Sequence, residues 1–292
     1  MPASSGPTAP TPTGTLGSGP PGMTAPFAPP TPPPPPPRKK PLVLVAVIAV
    51  AVVVVLAVVV FAGVFNSSGG SGTTTAAGPI DYSSALPLAS AAAQNTSGGP
   101  WTIIAAEGVA VPSTVSQANV GSIGGNGGCT FTPEPGGATE VSIPGTPAGS
   151  TPGKVSVWMF FAKNPAGNSI LLIAVDNGHA TPLVLVTGCA TVSTFASFGS
   201  IVGADVLNST TIATAFNAAG GSSFLANGTW QIQLFILLGP SADTGNVPVW
   251  DVMYSTCAIL ATSGPGSWLS GYYYAQSGTA VEPPAAGSGT CS

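Results

Sequence analysis

The chain has 292 residues, with 5 Lys and Arg, 9 Asp and Glu, a single His and a net charge of -4. Arg38, Lys39 and Lys40 are consecutive, so Lys154 and Lys163 are the basic residues that remain for the rest of the chain. A protein surface that follows nucleic-acid phosphates needs clustered Lys and Arg, so the composition excludes a nucleic-acid partner. The hydrophobic fraction of 44% is nevertheless high enough for a folded core.

The first 41 residues have the composition of a tail rather than of a domain. They consist mainly of Pro, Thr, Ser, Gly and Ala, with an unbroken proline run at 32–37. Such a segment cannot bury a core, so we predict that residues 1–41 are disordered, with a stiff polyproline II stretch near their end.

A long apolar stretch follows the tail. Residues 42–65 contain no charged residue and no proline. As a helix the stretch is about 36 Å long, enough to cross a hydrocarbon core of about 30 Å. The basic residues 38–40 precede it, and positive flanks stay in the cytoplasm. We therefore predict a single-pass cell-membrane protein with a cytoplasmic N-terminus. A cleaved signal peptide is the alternative, but its apolar region would span only about 7–15 residues.

The rest of the chain is predicted to be extracytoplasmic. Residues 66–80 are rich in Gly, Ser and Thr and form a predicted flexible linker. All four cysteines lie beyond it, and an even number in an oxidising compartment predicts two disulfides. Proximity favours Cys129–Cys189 and Cys257–Cys291 among the three possible connectivities. Because no C-x-x-C pair is present, we predict neither a metal site nor a cofactor.

Residues 81–187 form the first predicted unit. The segment 82–94 predicts a helix with Ser83 or Ser84 as N-cap and Pro87 in the first turn. The Gly- and Pro-rich residues 112–153 are interpreted as an insertion with one short strand at 129–132. The predicted strands are 101–111, 155–163, 169–175 and 180–186, with Asn177-Gly178 as a type I′ turn before the last.

Residues 188–292 form the second predicted unit and repeat this order. The segment 208–221 predicts a helix with Ile212, Phe216 and Ala219 on its buried face and Gly220 at its end. Further strands are predicted at 230–238, 247–255 and 271–281.

The two units can be aligned with each other. Trp101 aligns with Trp230, Trp158 aligns with Trp250, and the span 174–182 aligns with 275–283. We therefore predict a β-rich α+β fold of two related units, each with a helix and an antiparallel meander, that diverged after duplication. Chance similarity between two β-rich segments is the alternative.

The second unit resembles PepSY-type units. The residues that carry the resemblance are the helix beginning NSTTIATAF at 208, the strand WDVMY at 250–254 and the closing YYYAQSGTAV at 272–281. In that family a strand of the form V-D-A-x-T-G-x-V closes a small α+β layer, but here Tyr274 stands where the pattern has an acid. The resemblance covers 207–283 and, more faintly, 155–187. It implies a membrane-tethered extracytoplasmic protein and brings no catalytic residues.

The tail and anchor carry a second, compositional likeness. The Pro-rich tail, the Arg-Lys-Lys cluster and the Val-rich stretch are similar to uncharacterised single-pass envelope proteins of archaea and actinobacteria.

Reactive groups are few and dispersed. His179 and Asp176 flank the predicted two-residue turn, so we interpret both as polar residues next to a hairpin turn. Seven further carboxylates lie singly along the chain, at Glu107, Glu134, Glu140, Asp205, Asp243, Asp251 and Glu282. We therefore predict a non-catalytic binding or envelope-structural module. A hydrolase that uses a pair of carboxylates is the alternative.

Two sets of residues are candidate contact or modification sites. Tyr272, Tyr273 and Tyr274 form a candidate aromatic surface for a glycan or another envelope protein, with surface packing as the alternative. Four glycosylation sequons begin at Asn66, Asn95, Asn208 and Asn227, and Asn208 could instead cap a helix.

The scarcity of charge also predicts the response to pH. With two lysines and one histidine as partners, few carboxylates can have a pKa depressed by ion pairing. We therefore expect the free energy of unfolding to change little between neutral pH and about pH 3.

Overall fold

A computed structural model describes six ranges of the chain, namely 78–117, 129–135, 141–147, 149–227, 230–258 and 264–291. The predicted tail (1–41), the predicted anchor (42–65) and most of the predicted linker lie outside these ranges. In the part of the chain that is described, no helix is both long and apolar enough to cross a membrane.

The described residues form short helices and many strands. The helical elements are α1 (Tyr82–Asn95), α2 (Ala190–Ala196), α3 (Ser209–Phe216), a π-helical segment (Asn217–Gly221) and α4 (Ser222–Asn227). The strands are β1 (Thr102–Ala110), β2 (Val115–Gln117), β3 (Thr130–Pro133), β4 (Val141–Ile143), β5 (Val157–Lys163), β6 (Ser169–Asp176), β7 (His179–Thr187), β8 (Ile232–Leu238), β9 (Val249–Ser255), β10 (Pro265–Tyr274) and β11 (Ala285–Thr290).

Nine of these strands form one antiparallel sheet. Their order is β11-β10-β9-β8-β1-β5-β6-β7-β3, and β2 pairs with β4 in a separate ribbon. The predicted meander is confirmed as β5, β6 and β7. Asn177 and Gly178 join its last two strands with φ values of 45° and 79°, as a type I′ turn requires. The fold is therefore α+β and mostly β.

The sheet has two halves that run outward from its centre in the same order. The first half is α1 with β1, β5, β6 and β7, and the second half is α3 with β8 to β11; β1 and β8 are neighbours. The register is also the same. Trp158 lies opposite Gly108 of β1, and Trp250 lies opposite Leu237 of β8, as the tryptophan alignment requires.

One strand further out, the register defines the next equivalent pair. Trp158 pairs with Val175 in β6, and Trp250 pairs with Tyr273 in β10. Val175 is therefore equivalent to Tyr273. The alignment of 174–182 with 275–283 differs from this register by three residues, because a fixed spacing around a turn does not determine strand pairing.

In each half, the central tryptophan is hydrogen-bonded to the residue before the helix N-cap. The Trp158 Nε1 donates to the Ile80 carbonyl at 3.0 Å, and the Trp250 Nε1 donates to the Leu207 carbonyl at 3.1 Å. The two indole rings lie 6.2 Å apart, and Tyr82 packs edge-on against Trp250. The helix N-termini of the two halves therefore meet over the centre of the sheet.

The helix boundaries correct several predictions. Asp81, and not Ser83 or Ser84, is the N-cap of α1, because its carboxylate accepts the Ser84 N–H at 2.9 Å. Pro87 is consequently the sixth residue of the helix and lies beyond the first turn.

The second predicted helix also differs from the structure. Gly220 does not end it, because the chain continues into α4 after a kink at which Gly220 has φ 129°. Ile212 and Phe216 are buried as predicted, but Ala219 is exposed, since the π-helical turn rotates it away from the sheet.

The last strands differ most from prediction. The strand predicted at 271–281 begins at Pro265 and ends at Tyr274, and β11 was not predicted. Strand β11 reads AAGSGT, which lacks the β-branched pattern of a strand. The structure explains the glycine at 287, because a Cβ there would overlap the Trp268 ring. Glycine is therefore required at position 287 for β11 to pair with β10.

The sheet buries a core on each face. The helix face carries α1 and α3 over Trp158 and Trp250. The opposite face carries α2, whose Phe195 stacks on Phe161 of β5 at 5.0 Å.

Two disulfides close the outer parts of the sheet with the favoured connectivity. Cys129–Cys189 joins the residue before β3 to the residue before α2. Cys257–Cys291 joins the chain after β9 to the chain after β11 and passes over Gly266 of β10, where a Cβ would meet both sulfur atoms. The prediction of two disulfides is confirmed.

Candidate ligand-binding site

A cavity of about 380 Å³ lies at the end of the sheet where β1 ends and β8 begins. Its walls come from Pro112 after β1, from Trp230 and Gln233 at the start of β8, and from residues 146–147, 149–151 and Lys154. Because β1 and β8 are the central strands, the cavity lies at the junction of the two halves.

Two hydrogen bonds and one close backbone approach position the segment formed by residues 146–147 and 149–154. The Thr146 N–H donates to the Val111 carbonyl at 2.7 Å, which holds the segment against the end of β1. The Ser209 hydroxyl donates to the Gly153 carbonyl at 2.7 Å, which holds it against α3. A Cβ on Gly153 would overlap the Ser209 backbone, and its φ is 81°, so glycine alone fits there.

Lys154 is the cation of the cavity. Its side chain is half-buried, and among the described residues it has no hydrogen-bond or ion-pair partner. Lys163 differs, because its ammonium donates to the Ala196 and Phe198 carbonyls, each at 2.7 Å. Lys154 therefore keeps its three N–H donors for a ligand.

Trp230 and Gln233 add an aromatic ring and an amide. The indole N–H groups of Trp101, Trp158 and Trp250 donate to backbone carbonyls, whereas that of Trp230 has no acceptor within the described ranges. The Gln233 amide is likewise unpaired among those residues and half-buried. No carboxylate among the described residues lines the cavity. Its polar side chains thus surround an aromatic ring.

No known protein family, curated protein or solved structure matches the chain. The cavity is therefore interpreted from its own residues, and the resemblance of 207–283 to PepSY-type units stays a prediction.

The predicted tyrosine surface lies elsewhere, on β10. Tyr273 is 2% exposed and packs edge-on against Phe216, on the helix face. Tyr272 is half-buried beside Asp251, and Tyr274 is 39% exposed; both point to the opposite face. The three tyrosines do not share one face, and none of them lines the cavity.

The predicted sequons have different surroundings. Asn95 is exposed at the end of α1. Asn208 is the N-cap residue of α3, but its side chain accepts the Ser83 N–H of α1 at 3.2 Å. Asn227 ends α4, and Asn66 lies outside the described residues.

Two carboxylates that appeared unrelated in the sequence share a row of the sheet. Glu107 of β1 pairs with Ile236 of β8, which pairs with Asp251 of β9. The side chains of both acids therefore lie on the face of the sheet opposite to α1 and α3. Their backbones are two strand spacings apart, which is roughly 10 Å. They are 1% and 6% exposed, and Glu107 Oε1 and Asp251 Oδ1 have no hydrogen-bond partner among the described residues.

Burial changes the protonation of both acids. Removal from water disfavours the charged form and raises the pKa of Glu107 to about 8 and that of Asp251 to about 7. The apolar runs around them, IIAAEGVAV and VWDVM, were the sequence signal for this burial.

Proposed function

We propose that the protein is a membrane-anchored extracytoplasmic binding module whose cavity beside Trp230 takes a small polar ligand. The observation that carries the proposal is that one cavity is lined by Lys154, Trp230 and Gln233, whose side chains have no hydrogen-bond partner among the described residues. The cavity volume lies in the range of about 300–1,000 Å³ that is typical of ligand sites. An aromatic wall with a few convergent polar groups is the usual composition of such sites.

The proposed location rests on two features of the chain. The basic residues 38–40 before the apolar stretch 42–65 favour a cytoplasmic N-terminus. The two disulfides support an oxidising compartment for the folded part. Protease added to intact cells should remove the C-terminal region and leave the Pro-rich tail protected; the reverse pattern would refute this topology.

We also propose that the two halves diverged from one duplicated unit. Three features support this history: the two halves have the same strand order, the same register around the central tryptophans, and equivalent hydrogen bonds from the indole N–H groups. The buried helix positions correspond as well, since α1 buries Tyr82, Ala85 and Ala89 where α3 buries Ser209, Ile212 and Phe216.

The alternative function is a hydrolase that uses Glu107 and Asp251 as its carboxylate pair. Their shared row is the observation that favours it. A substrate would have to reach acids that are 1% and 6% exposed and that do not line the cavity. Binding at the cavity needs no such opening and is the better supported function.

A ligand screen tests the proposal. The full chain in lipid nanodiscs is heated with a library of small sugars, organic acids and amines, and the unfolding temperature is recorded. We expect some compounds to raise the unfolding temperature of the natural protein but not that of Trp230→Ala. Trp268→Ala, which removes a half-buried ring on β10, is the matched control and should respond normally. Equal responses of natural protein and Trp230→Ala would contradict the site.

A further inference from the structure

We infer that the cavity recognises a saccharide that carries a carboxylate, with the Lys154 ammonium on the carboxylate and the Trp230 ring against the sugar. The inference rests on the proposed function and names the ligand class of the same site.

The charge of the cavity indicates an anionic ligand. The chain has a net charge of -4, yet the described residues that line the walls include Lys154 and no carboxylate. A half-buried ammonium with no anion among the described residues gains a charge-assisted hydrogen bond when a ligand supplies one. A single lysine is a compact point charge, whereas phosphate sites usually combine Arg forks or a nest of backbone N–H groups. One ammonium therefore matches a singly charged carboxylate.

The aromatic ring and the other polar groups indicate a sugar. One face of a pyranose ring is lined by C–H groups, which pack against an indole, while its hydroxyl groups project sideways. The Gln233 amide can both donate to and accept from such hydroxyls. The Ser150 hydroxyl donates to the Pro147 carbonyl at 2.7 Å, which leaves its lone pairs as acceptors for a ligand hydroxyl. The cavity therefore offers donors and acceptors around one aromatic surface.

The volume limits the length of the saccharide. At about 380 Å³ the cavity is near the lower end of the range for ligand sites. We infer that it holds one or two sugar residues.

Calorimetry on the full chain in nanodiscs tests the inference. The probes are digalacturonate, the neutral galactose disaccharide of the same linkage, and inorganic phosphate. We expect digalacturonate to bind at least about tenfold more tightly than the other two, because only it supplies both the ring and the carboxylate. Its affinity should fall about tenfold in Lys154→Met, which keeps the side-chain length, and should be largely kept in Lys154→Arg.

The outcomes distinguish the inferred ligand class from the proposed binding site itself. Equal affinity for the neutral disaccharide, or unchanged affinity in Lys154→Met, overturns the carboxylate contact and leaves the binding module standing. Phosphate binding as tight as that of digalacturonate overturns the sugar. No binding of these probes together with a Trp230-dependent hit of another class in the thermal screen overturns the ligand class alone. No binding in either experiment overturns both proposals.

Discussion

The two halves of the sheet share their strand order and central register but differ in what they bury. Glu107 in β1 is equivalent to Ile236 in β8, and Asp251 in β9 is equivalent to Met159 in β5. Each acid thus occupies a position at which the other half has an apolar side chain, and all four residues lie in one row. Because the same backbone is built with Ile or Met at these positions, the fold does not require the carboxylates. Their burial costs free energy whenever they are ionised.

The largest predicted effect is a loss of stability as pH rises. The pKa values of Glu107 and Asp251 are raised from 4.5 and 3.8 to about 8 and about 7. A raised pKa contributes stability that is fully present below about pH 4 and is lost as pH rises through the folded pKa. The upper bound is on the order of 4 kcal/mol per acid. The unfolding temperature of the full chain should therefore be higher at pH 5 than at pH 8. This replaces the expectation, drawn from the scarcity of charge, that the free energy of unfolding changes little below neutral pH.

Asp176 and Asp81 also contribute to the dependence of stability on pH. Burial also raises the pKa of Asp176, despite the nearby His179. Asp81 acts in the other direction: burial opposes ionisation, but hydrogen bonds from Ser84 and Ser83 outweigh it and lower its pKa. Its contribution is lost in acid, so a small decline is expected below about pH 4.

The equivalent residues of the other half supply the variants that test this explanation. Glu107→Ile and Asp251→Met should each raise the unfolding temperature at pH 8 more than at pH 5. A natural protein whose unfolding temperature does not fall between pH 5 and pH 8 would contradict the role of these acids.

The next effect concerns the residues opposite the two central tryptophans. Leu237 is fully buried opposite Trp250, so Leu237→Ala should cost about 2–5 kcal/mol through an internal cavity. Gly108 has the equivalent position opposite Trp158, and an added Cβ would lie 2.8 Å from that ring. Gly108→Ala should therefore cost about 1–3 kcal/mol by overpacking. Denaturant unfolding of both variants measures the two costs, and a stabilising Gly108→Ala would show that the Trp158 ring can move away.

The third comparison is between the two disulfides, which lie toward the two outer ends of the sheet. Cys129–Cys189 closes 60 residues in sequence and Cys257–Cys291 closes 34. Replacement of either pair by serine should cost about 2–4 kcal/mol, slightly more for the longer loop. Thermal unfolding of the two double variants measures the costs. Mass spectrometry of the unreduced protein should find both pairs, and four free thiols would contradict the prediction.

The smallest effect concerns the helix N-termini. Asp81→Ala removes the acceptor for the Ser84 N–H and should cost about 1 kcal/mol. Asn208→Ala should also weaken α1, because the Asn208 side chain accepts the Ser83 N–H of α1 and no backbone N–H of its own helix. Hydrogen exchange at the first turn of α1 should increase in both variants; an increase in α3 alone after Asn208→Ala would contradict this cross-half contact.

The sequence predicted those parts of the fold that local pattern controls. Strands β5 to β7 and their Asn177-Gly178 turn follow from hydrophobic runs and turn chemistry. Strand β11 and α2 do not follow from such local patterns. In β11, contact with Trp268 selects the residues rather than strand propensity. The helix extension beyond Gly220 was missed because a glycine near a helix end usually marks its C-terminus.

The candidate site was harder to predict than the fold. Glu107 and Asp251 are far apart in sequence, and only the register across β1, β8 and β9 places them in one row. The cavity depends on residues 146–147 and 149–153 of the predicted insertion and on Lys154, which directly follows it. Contacts with Val111 and Ser209 position these residues. No short motif encodes either arrangement.

The most direct test of ligand binding at the junction of the halves is ¹⁹F NMR of the full chain labelled with fluorotryptophan. Five tryptophans give five signals, and Trp230→Phe identifies the one at the cavity. On titration with digalacturonate we predict a shift of the Trp230 signal. The signals of Trp158 and Trp250, which are buried and bonded to Ile80 and Leu207, should stay in place. A Trp230 signal that does not move at saturating ligand, while another tryptophan signal does, would contradict the site.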